Sequence, residues 1–327
     1  MKKRYFRIRP SFFRDEKESC RLLVSRLFVI FASMTIIDAH SHLWLRQDTV
    51  VDGQPIRALP GGRALFFGEE RQMLPPFLID GRNSAEVFLS NMDYAQVGAA
   101  VVVQEIIDGN QDDYLREVQA KWPGRFFCCA MMDIDRDGLG VPEGFRGAAI
   151  PGHRMKRDLD SPEMMGAFRE LERRGILLSM CLGDDARQIA QFATVIQECP
   201  RLKVAIGHFG LARSEHWRDQ VRLARAENVR IESGGITWLY NDEFYPFPSA
   251  VRAIRQAADE VGWDKLMWGS DYPRTITAIT YRMSYDFLLK TDELRPEEKA
   301  AFLGGNAAAF YGFRDLPELP YIKNMSE

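Results

Sequence analysis

Cysteine is scarce in this chain, and no apolar segment is long. The 327 residues include only five cysteines, an odd number, and no two of them form a CxxC pair. A secreted disulfide framework and a zinc knuckle are therefore excluded, and a reducing compartment is favoured. We predict a cytoplasmic protein.

A strong excess of one charge is also missing. Lysine and arginine together number 43, aspartate and glutamate number 46, and the formal net charge is −3. A chain so balanced has no global field that would hold nucleic acid or an anionic membrane. We expect a small-molecule partner, and assembly of identical chains stays open at this stage.

The first 33 residues differ in composition from the rest. A basic, mixed stretch precedes a 13-residue apolar run, RLLVSRLFVIFAS, which contains two arginines. A bilayer-spanning helix needs about 20 apolar residues, so this run does not span. A signal peptide is the weaker alternative, because charged residues interrupt the segment. We predict that residues 1–33 are an extension, either disordered or outside the native start, whose removal leaves folding and activity nearly unchanged.

From residue 34 onward, short apolar runs alternate with longer segments of helical period, which is typical of a parallel α/β fold. The predicted strands are 36–42, 99–104, 126–132, 147–150, 176–181, 204–208, 229–233 and 266–269. The predicted helices are 84–96 capped by Asn83, 112–121, 162–174 capped by Ser161, 186–198, 214–227, 249–261 and 281–290. Eight alternations in a chain of this length predict a single-domain (β/α)8 TIM barrel over residues 34–315, followed by a tail at 316–327.

The connection after the first predicted strand is unusually long. Residues 45–82 contain several prolines and glycines and show no clear helical period. Loops of this length are usually functional lids or disordered. In a barrel this loop rises from the face that carries the active site, so we predict a lid.

A pair of histidines ends the first predicted strand, in the segment DAHSH. Residues i and i+2 of a strand point to the same face, so His40 and His42 project together and can hold a divalent ion. The HxH spacing alone is weak evidence. Its position at the carboxyl end of a strand, where a barrel carries its reactive groups, strengthens it.

Two more candidates follow later strands. His208, in VAIGHFG, ends the sixth predicted strand, and Asp271, in MWGSDYP, comes just after the eighth. The intervals from His42 to His208 and from His208 to Asp271 correspond to about 33 and about 32 residues per strand–helix unit. Taken singly, His208 could be a core histidine, and Asp271 could be a turn residue before Pro273. Together with the histidine pair they predict one site at the barrel mouth.

These segments resemble the amidohydrolase-related family of TIM-barrel proteins, which includes lactonases and aromatic-acid decarboxylases. The resemblance covers approximately residues 34–313 and rests on IIDAHSHLW, IGHFG, WGSDYP and LGGNAAAFYGF. It implies that His40, His42 and Asp271 bind a divalent metal, zinc or manganese. It also implies that His208 acts near the substrate.

One position departs from the family pattern. Members with a firmly held metal usually carry a histidine at the end of strand five, where this chain has GILLSMCLG and the aligned glycines place Cys181. In one interpretation the Cys181 thiolate is a zinc ligand. In the other it is a small neutral barrel residue, and the metal is held loosely or is absent.

Side chains after other strands are candidates for substrate binding. Arginines there can hold a substrate carboxylate bidentately, although each one singly is as well explained as a solvated or structural charge. The predicted substrate-binding residues are Arg154, Arg274, Tyr272 and Gln104. Glu232 and His216 have no spacing that distinguishes them from surface or helix residues. Other side chains expected near the mouth are Glu105, His153, Arg213 and Trp238.

Two reactions fit these residues. The first is hydrolysis of a lactone, ester or amide of a sugar acid or aromatic acid: the metal or the histidines polarise the carbonyl, and Asp271 takes a proton from the attacking water. His208 then orients the substrate or stabilises the oxyanion. The alternative is a metal-dependent decarboxylase of an aromatic or unsaturated acid, in which Asp271 or His208 protonates a ring carbon. A non-enzymatic binding protein is disfavoured, because converging titratable groups are a poor lining for recognition alone.

Overall fold

The computed structural model describes residues 34–132, 140, 141, 143–323 and 325, and the described residues from 35 onward form one compact unit. The predicted extension at residues 1–33 lies outside the described residues. Within them, twelve strands, β1 to β12 in chain order, span Ile36–Ser41, Asp48–Val51, Gln54–Leu59, Arg63–Phe66, Glu69–Gln72, Val97–Val102, Phe126–Met131, Gly147–Ile150, Leu177–Met180, Val204–Ile206, Val229–Glu232 and Leu266–Met267.

Eight of these strands form a parallel sheet in the order β1, β6, β7, β8, β9, β10, β11, β12. The last strand returns to the first. Ser41 pairs with Tyr272 in parallel, and the Ala39 backbone N–H donates to the Trp268 carbonyl at 2.9 Å. The predicted TIM barrel is confirmed, and each predicted strand is present within a few residues of its expected bounds.

Helices cover the outside of the barrel. Among the described residues, ten α-helices, α1 to α10 in chain order, span Ala85–Tyr94, Asp112–Lys121, Pro162–Arg174, Ala186–Glu198, Trp217–Leu223, Ile236–Leu239, Pro248–Val261, Met283–Lys290, Pro296–Ala300 and Asn306–Tyr311. The helix at 162–174 has its predicted cap, because the Ser161 hydroxyl accepts a hydrogen bond from the Met164 N–H. It ends at Gly175, which adopts the left-handed conformation that glycine tolerates best.

The long connection after β1, predicted as a lid, contains regular structure of its own. Strands β2, β3, β4 and β5 form an antiparallel sheet between residues 48 and 72. Asp52–Gly53 and Phe67–Gly68 both have positive φ angles, as tight hairpin turns require, and they connect β2 to β3 and β4 to β5. The Asp-Gly pair is a hairpin signal that the sequence already contained, whereas the strands themselves are too short and polar to show a clear alternation.

Asn83 is not the cap of the helix that follows it. Ser84 is the N-cap residue of α1, and the Asn83 side-chain amide instead donates to the His42 carbonyl at 2.6 Å. The Asn83 backbone also exchanges two hydrogen bonds of 3.0 Å with Trp44. Asn83 therefore fixes the chain where it leaves β1, directly after the histidine pair.

In the core, alternate residues of the barrel strands pack against the last helix, α10. One buried cluster contains Ile37, Ala39, Ala99, Val101, Phe127, Cys129, Ala149, Leu177, Ala205 and Met267 together with Phe310 and Tyr311 of α10. Residues two apart on a strand share a face, so these side chains line the same side of the sheet. Phe302 and Phe310, from the C-terminal helical segment, are also buried.

Candidate active site

The two histidines of the first strand meet Asp271 in a buried cluster. The Nε2 atoms of His40 and His42 lie 3.1 Å apart. The Asp271 Oδ1 atom lies 3.2 Å from His42 Nε2 and 3.7 Å from His40 Nε2. Three potential ligand atoms from opposite ends of the chain therefore face one point at the carboxyl end of the barrel strands.

His208 joins this cluster from the end of β10. One ligand atom from each of His40, His208 and Asp271 lies within 4.8 Å of the others. His208 and Asp271 have φ angles of 52° and 59°, in the left-handed region that non-glycine residues seldom adopt. Such backbone conformations are concentrated at functional sites. The structure thus brings together all four residues that the sequence singled out.

A carboxylate lies beside the second ring nitrogen of each first-strand histidine. His40 Nδ1 is 2.7 Å from Glu232 Oε1, and His42 Nδ1 is 3.3 Å from Asp108 Oδ2. Burial alone would lower the pKa of His40 and of His42, but these carboxylates and Asp271 outweigh it and raise both. At His40 the carboxylate accepts a hydrogen bond from Nδ1 and so turns Nε2 toward the cluster, whereas Asp108 acts on His42 through its charge.

Glu232 is a site residue that sequence reasoning missed. It was expected among surface or helix residues, yet its side chain is buried at the end of β11. Besides His40, it accepts hydrogen bonds from the backbone N–H groups of His208 at 3.2 Å and Gly234 at 2.5 Å. Its position at the carboxyl end of the seventh barrel strand was the signal that could have found it. Asp108 carried no such signal, because it lies in a short turn at Ile106–Asp108.

A backbone carbonyl determines which ring nitrogen of His208 carries the hydrogen. Its Nδ1 lies 3.0 Å from the Gly234 carbonyl, which can only accept, so Nδ1 carries the hydrogen and the neutral ring presents a lone pair at Nε2. Burial lowers the pKa of His208, and the charge of His40 lowers it further. Burial opposes ionisation of Asp271, but the His42 hydrogen bond and the neighbouring histidine charges hold its pKa well below its usual range. At neutral pH, His208 is a neutral acceptor and Asp271 is ionised.

We expect Glu232→Gln to weaken divalent-metal binding by about 10- to 100-fold, the usual cost of altering a group that orients a metal-binding histidine. Glutamine keeps the size of the side chain but removes the charge beside His40, and its amide cannot accept from both backbone donors. Zinc affinity measured by competition with a chromogenic chelator checks this. Glu227→Gln, at an exposed position just before β11, is the matched control. Equal affinity in the two variants would contradict the orienting role.

A cavity of about 420 Å³ opens above the cluster. Its floor includes His42, His208 and Asp271, and part of its wall comes from the antiparallel sheet and the residues just after it. The contributing residues from that region are Phe66, Arg71, Gln72 and Met73. The folded connection after β1 therefore lies over the mouth, where the lid was predicted.

The predicted substrate-binding residues separate into two groups. Arg154 and Arg274 line the cavity. Tyr272 does not: its ring is fully buried and stacks on Phe88 with centroids 4.1 Å apart. Gln104 is also turned away, because its amide donates to Asp112 and to the Cys129 carbonyl at 2.7 and 2.9 Å. Stacking of the Tyr272 ring on Phe88 and the hydrogen bonds of the buried Gln104 amide keep both side chains out of the cavity.

Cys181 lines the cavity but is not in the group of ligand atoms that lie within 4.8 Å of one another. Burial, together with the charges of Glu232, Glu105 and Asp271, holds the pKa of its thiol well above the usual range. The thiol is therefore protonated at neutral pH. In this respect Cys181 resembles the small neutral barrel residue of the second interpretation. Cys128, Cys129 and Cys199 are likewise free thiols, and Cys20 lies outside the described residues.

Comparison with known proteins places the chain in a family. An amidohydrolase family model matches residues 37–313, most of the chain, so the protein belongs to the amidohydrolase family and is an enzyme. A stretch of 139 residues is 29% identical to an L-fucono-1,5-lactonase from Burkholderia ambifaria. That match covers 38% of this chain and about half of the relative, 47% of its length.

Solved structures share the fold at low sequence identity. A probable 2-pyrone-4,6-dicarboxylic acid hydrolase from Acinetobacter baumannii, with citric acid bound, matches with a TM-score of 0.65 and 19% identity. An amidohydrolase from Burkholderia multivorans with bound zinc matches with a TM-score of 0.64 and 18% identity. Each match covers 86% of this chain and all of the other. No helix among the described residues is long and apolar enough to cross a membrane.

Proposed function

We propose that this enzyme hydrolyses a small carbonyl compound, a lactone or a related ester or amide of a sugar acid or aromatic acid. The convergence of His40, His42 and Asp271 at the floor of a small cavity carries the proposal. The lactonase relative and the hydrolase neighbour point to the same class of reaction.

The donor set fits a divalent metal ion. The Nε2 atoms of His40 and His42 both face Asp271 Oδ1, and each ring would offer its Nε2 lone pair to an ion once it gives up its proton there. Two imidazoles oriented by carboxylates and one carboxylate are ligands suited to zinc or manganese. We propose that these three residues hold the ion and that His208 lies within reach of it. When bound, the ion supplies polarisation of the substrate carbonyl.

Asp271 acts as the base in this proposal. It is ionised at every working pH, so it accepts a proton from the water as the oxygen of that water bonds to the carbonyl carbon. The ring C–O bond then breaks, and the leaving oxygen takes the proton. His208, neutral with a lone pair at Nε2, can orient a water or a substrate hydroxyl but cannot donate to an oxyanion. Of its two predicted roles, orientation is therefore the one that we retain.

Protonation also favours hydrolysis over decarboxylation. A decarboxylase in this fold would need Asp271 or His208 to donate a proton to a ring carbon. The pKa of each is lowered, which disfavours that donation. In hydrolysis, the proton that Asp271 takes from water is the one that the leaving oxygen receives.

A substrate panel tests the proposal. Sugar lactones and aromatic carboxylates are offered with and without added zinc or manganese, while proton release reports ring opening and carbon dioxide release reports decarboxylation. We expect acid release from at least one lactone. Carbon dioxide release without lactone hydrolysis would replace the proposal with the decarboxylase.

In the metal-saturated enzyme, we expect the contribution of His208 to kcat/KM to be retained at neutral pH and to be lost only below pH 6.5. Burial lowers the pKa of His208 from 6.5 and lowers that of His153 to about 4. A base with a lowered pKa keeps its neutral form to lower pH, so its contribution is lost only as the pH falls through that value. A pH–rate profile in constant ionic strength checks this. An acidic limb with an apparent pKa above 7 in the metal-saturated enzyme would contradict the lowered pKa of His208.

A further inference from the structure

Three guanidinium groups line the cavity, and they differ in their partners. Arg71 pairs with Glu69 through two hydrogen bonds of 3.1 and 2.7 Å. Arg154 donates to Glu105 at 3.2 Å. Arg274 faces no carboxylate among the described residues, and its guanidinium lies over the Trp238 ring, 3.8 Å from the centroid. Of the three, Arg274 is therefore the one without an ion pair among the described residues.

Trp238 fixes the position of that charge relative to the reacting groups. Its indole N–H donates to Asp271 Oδ2 at 2.6 Å, so the ring cannot rotate without losing a hydrogen bond to an ionised group. Arg274 stacks on the face of this anchored ring. Stacking uses the face of a guanidinium and leaves its in-plane N–H groups available for a carboxylate.

We propose that Arg274 binds a carboxylate of the substrate and that the substrate is a lactone carrying a single carboxylate. This inference rests on the proposed hydrolysis and names its substrate class. The carboxylate lies about the width of an indole ring from the carbonyl that reacts at Asp271. A neutral sugar lactone leaves Arg274 unused, and a dicarboxylate brings one charge more than the cavity can pair.

The opposite wall explains the limit of one carboxylate. The Glu105 side chain is 13% exposed, and it lies 3.2 Å from Arg154 and 3.3 Å from His153. A second substrate carboxylate could recruit Arg154 only by taking the guanidinium from Glu105, and a mostly buried carboxylate that loses its guanidinium partner is destabilised. Asp108 on the same side adds a further negative charge. The carboxylates of Glu105 and Asp108 on this side of the cavity can accept hydrogen bonds from substrate hydroxyl groups, and they repel a substrate anion.

Three non-hydrolysable ring ethers test the inference on the full-length enzyme: tetrahydropyran-2-methanol, tetrahydropyran-2-carboxylate and tetrahydropyran-2,6-dicarboxylate. Calorimetry measures the Kd of each. We expect the monocarboxylate to bind about tenfold more tightly than the alcohol, the effect of one charge-assisted contact at a partly exposed site. The dicarboxylate should bind no more tightly than the monocarboxylate.

Arg274→Met should bring the carboxylate-to-alcohol ratio to about one, and Arg274→Lys should retain part of the preference. Arg274 is exposed, so neither variant disturbs the core. Arg218→Met is the matched control, because Arg218 also lies over a tryptophan, Trp217, but does not line the cavity. An unchanged ratio in Arg274→Met would overturn the inference, since the carboxylate would then be held elsewhere, for example at the histidine cluster.

Turnover separates this inference from the proposed function. With δ-lactones of the same three charge types, we expect the monocarboxylate to have the lowest KM in the wild type, and Arg274→Met to raise that KM with little change in kcat. Hydrolysis with neutral lactones preferred would leave the proposed function standing and overturn the inference. Arg274-dependent binding of the carboxylate probe without hydrolysis of any lactone would do the reverse.

Discussion

Asp271→Asn is expected to reduce turnover by about 10²- to 10⁴-fold, the usual cost of losing a positioned acid or base, while leaving the fold intact. Asparagine keeps the size of the side chain and tolerates the left-handed backbone that Asp271 adopts. It can still accept the Trp238 hydrogen bond through its oxygen. It cannot take a proton from water, and it offers no negative charge to His42. Steady-state kinetics on the best lactone of the panel, with circular dichroism as the check on folding, measure the result.

The matched control for this substitution is Asp259→Asn, on the exposed side of α7. It should have wild-type kinetics. If Asp271→Asn also turned over at the wild-type rate, Asp271 would be a turn residue only, and the histidines would lack their base. The same variant should bind zinc more weakly, because one of the three proposed ligand atoms loses its charge.

Removal of divalent metal is expected to abolish activity, and zinc or manganese added back should restore it. The physical reason is the donor set: the Nε2 atoms of His40 and His42 and Oδ1 of Asp271 converge on one point, and an ion held there would polarise the carbonyl in the proposed hydrolysis. Elemental analysis before and after dialysis against a chelator should show about one ion per chain in the active form and none in the inactive form.

The five histidines of the chain provide a control for metal binding. His40→Asn should lose the ion, whereas His216→Asn should retain it, because His216 lies at the start of α5 beside Asp219 and outside the cluster. Full activity in the chelated wild type, with no ion by elemental analysis, would contradict the metal assignment. The reaction would then depend on the histidines alone.

Local patterns in the sequence were sufficient for the barrel and for the centre of its site. Apolar runs of strand length at regular intervals reflect burial of each strand between core and helices, so eight strands could be located from the chain alone. His40 and His42 share a face because strand residues alternate, and their Nε2 atoms are indeed 3.1 Å apart. Equal spacing placed His208 and Asp271 at the same end of the barrel, where they meet the pair.

What the sequence alone did not determine are the contacts between residues far apart in the chain. Glu232 orients His40 across 192 positions, and this pairing exists only because closure of the barrel brings β11 to β1. Tyr272 and Gln104 were predicted to line the cavity because each follows a strand. Tyr272 instead stacks on Phe88, and Gln104 hydrogen-bonds to Asp112, so packing decided where these side chains lie. Sequence periodicity predicts which residues of a strand lie on the same face, because alternation is a property of the local backbone. The tertiary structure decided which buried polar groups pair, because each must find its partner among the groups that folding brings close.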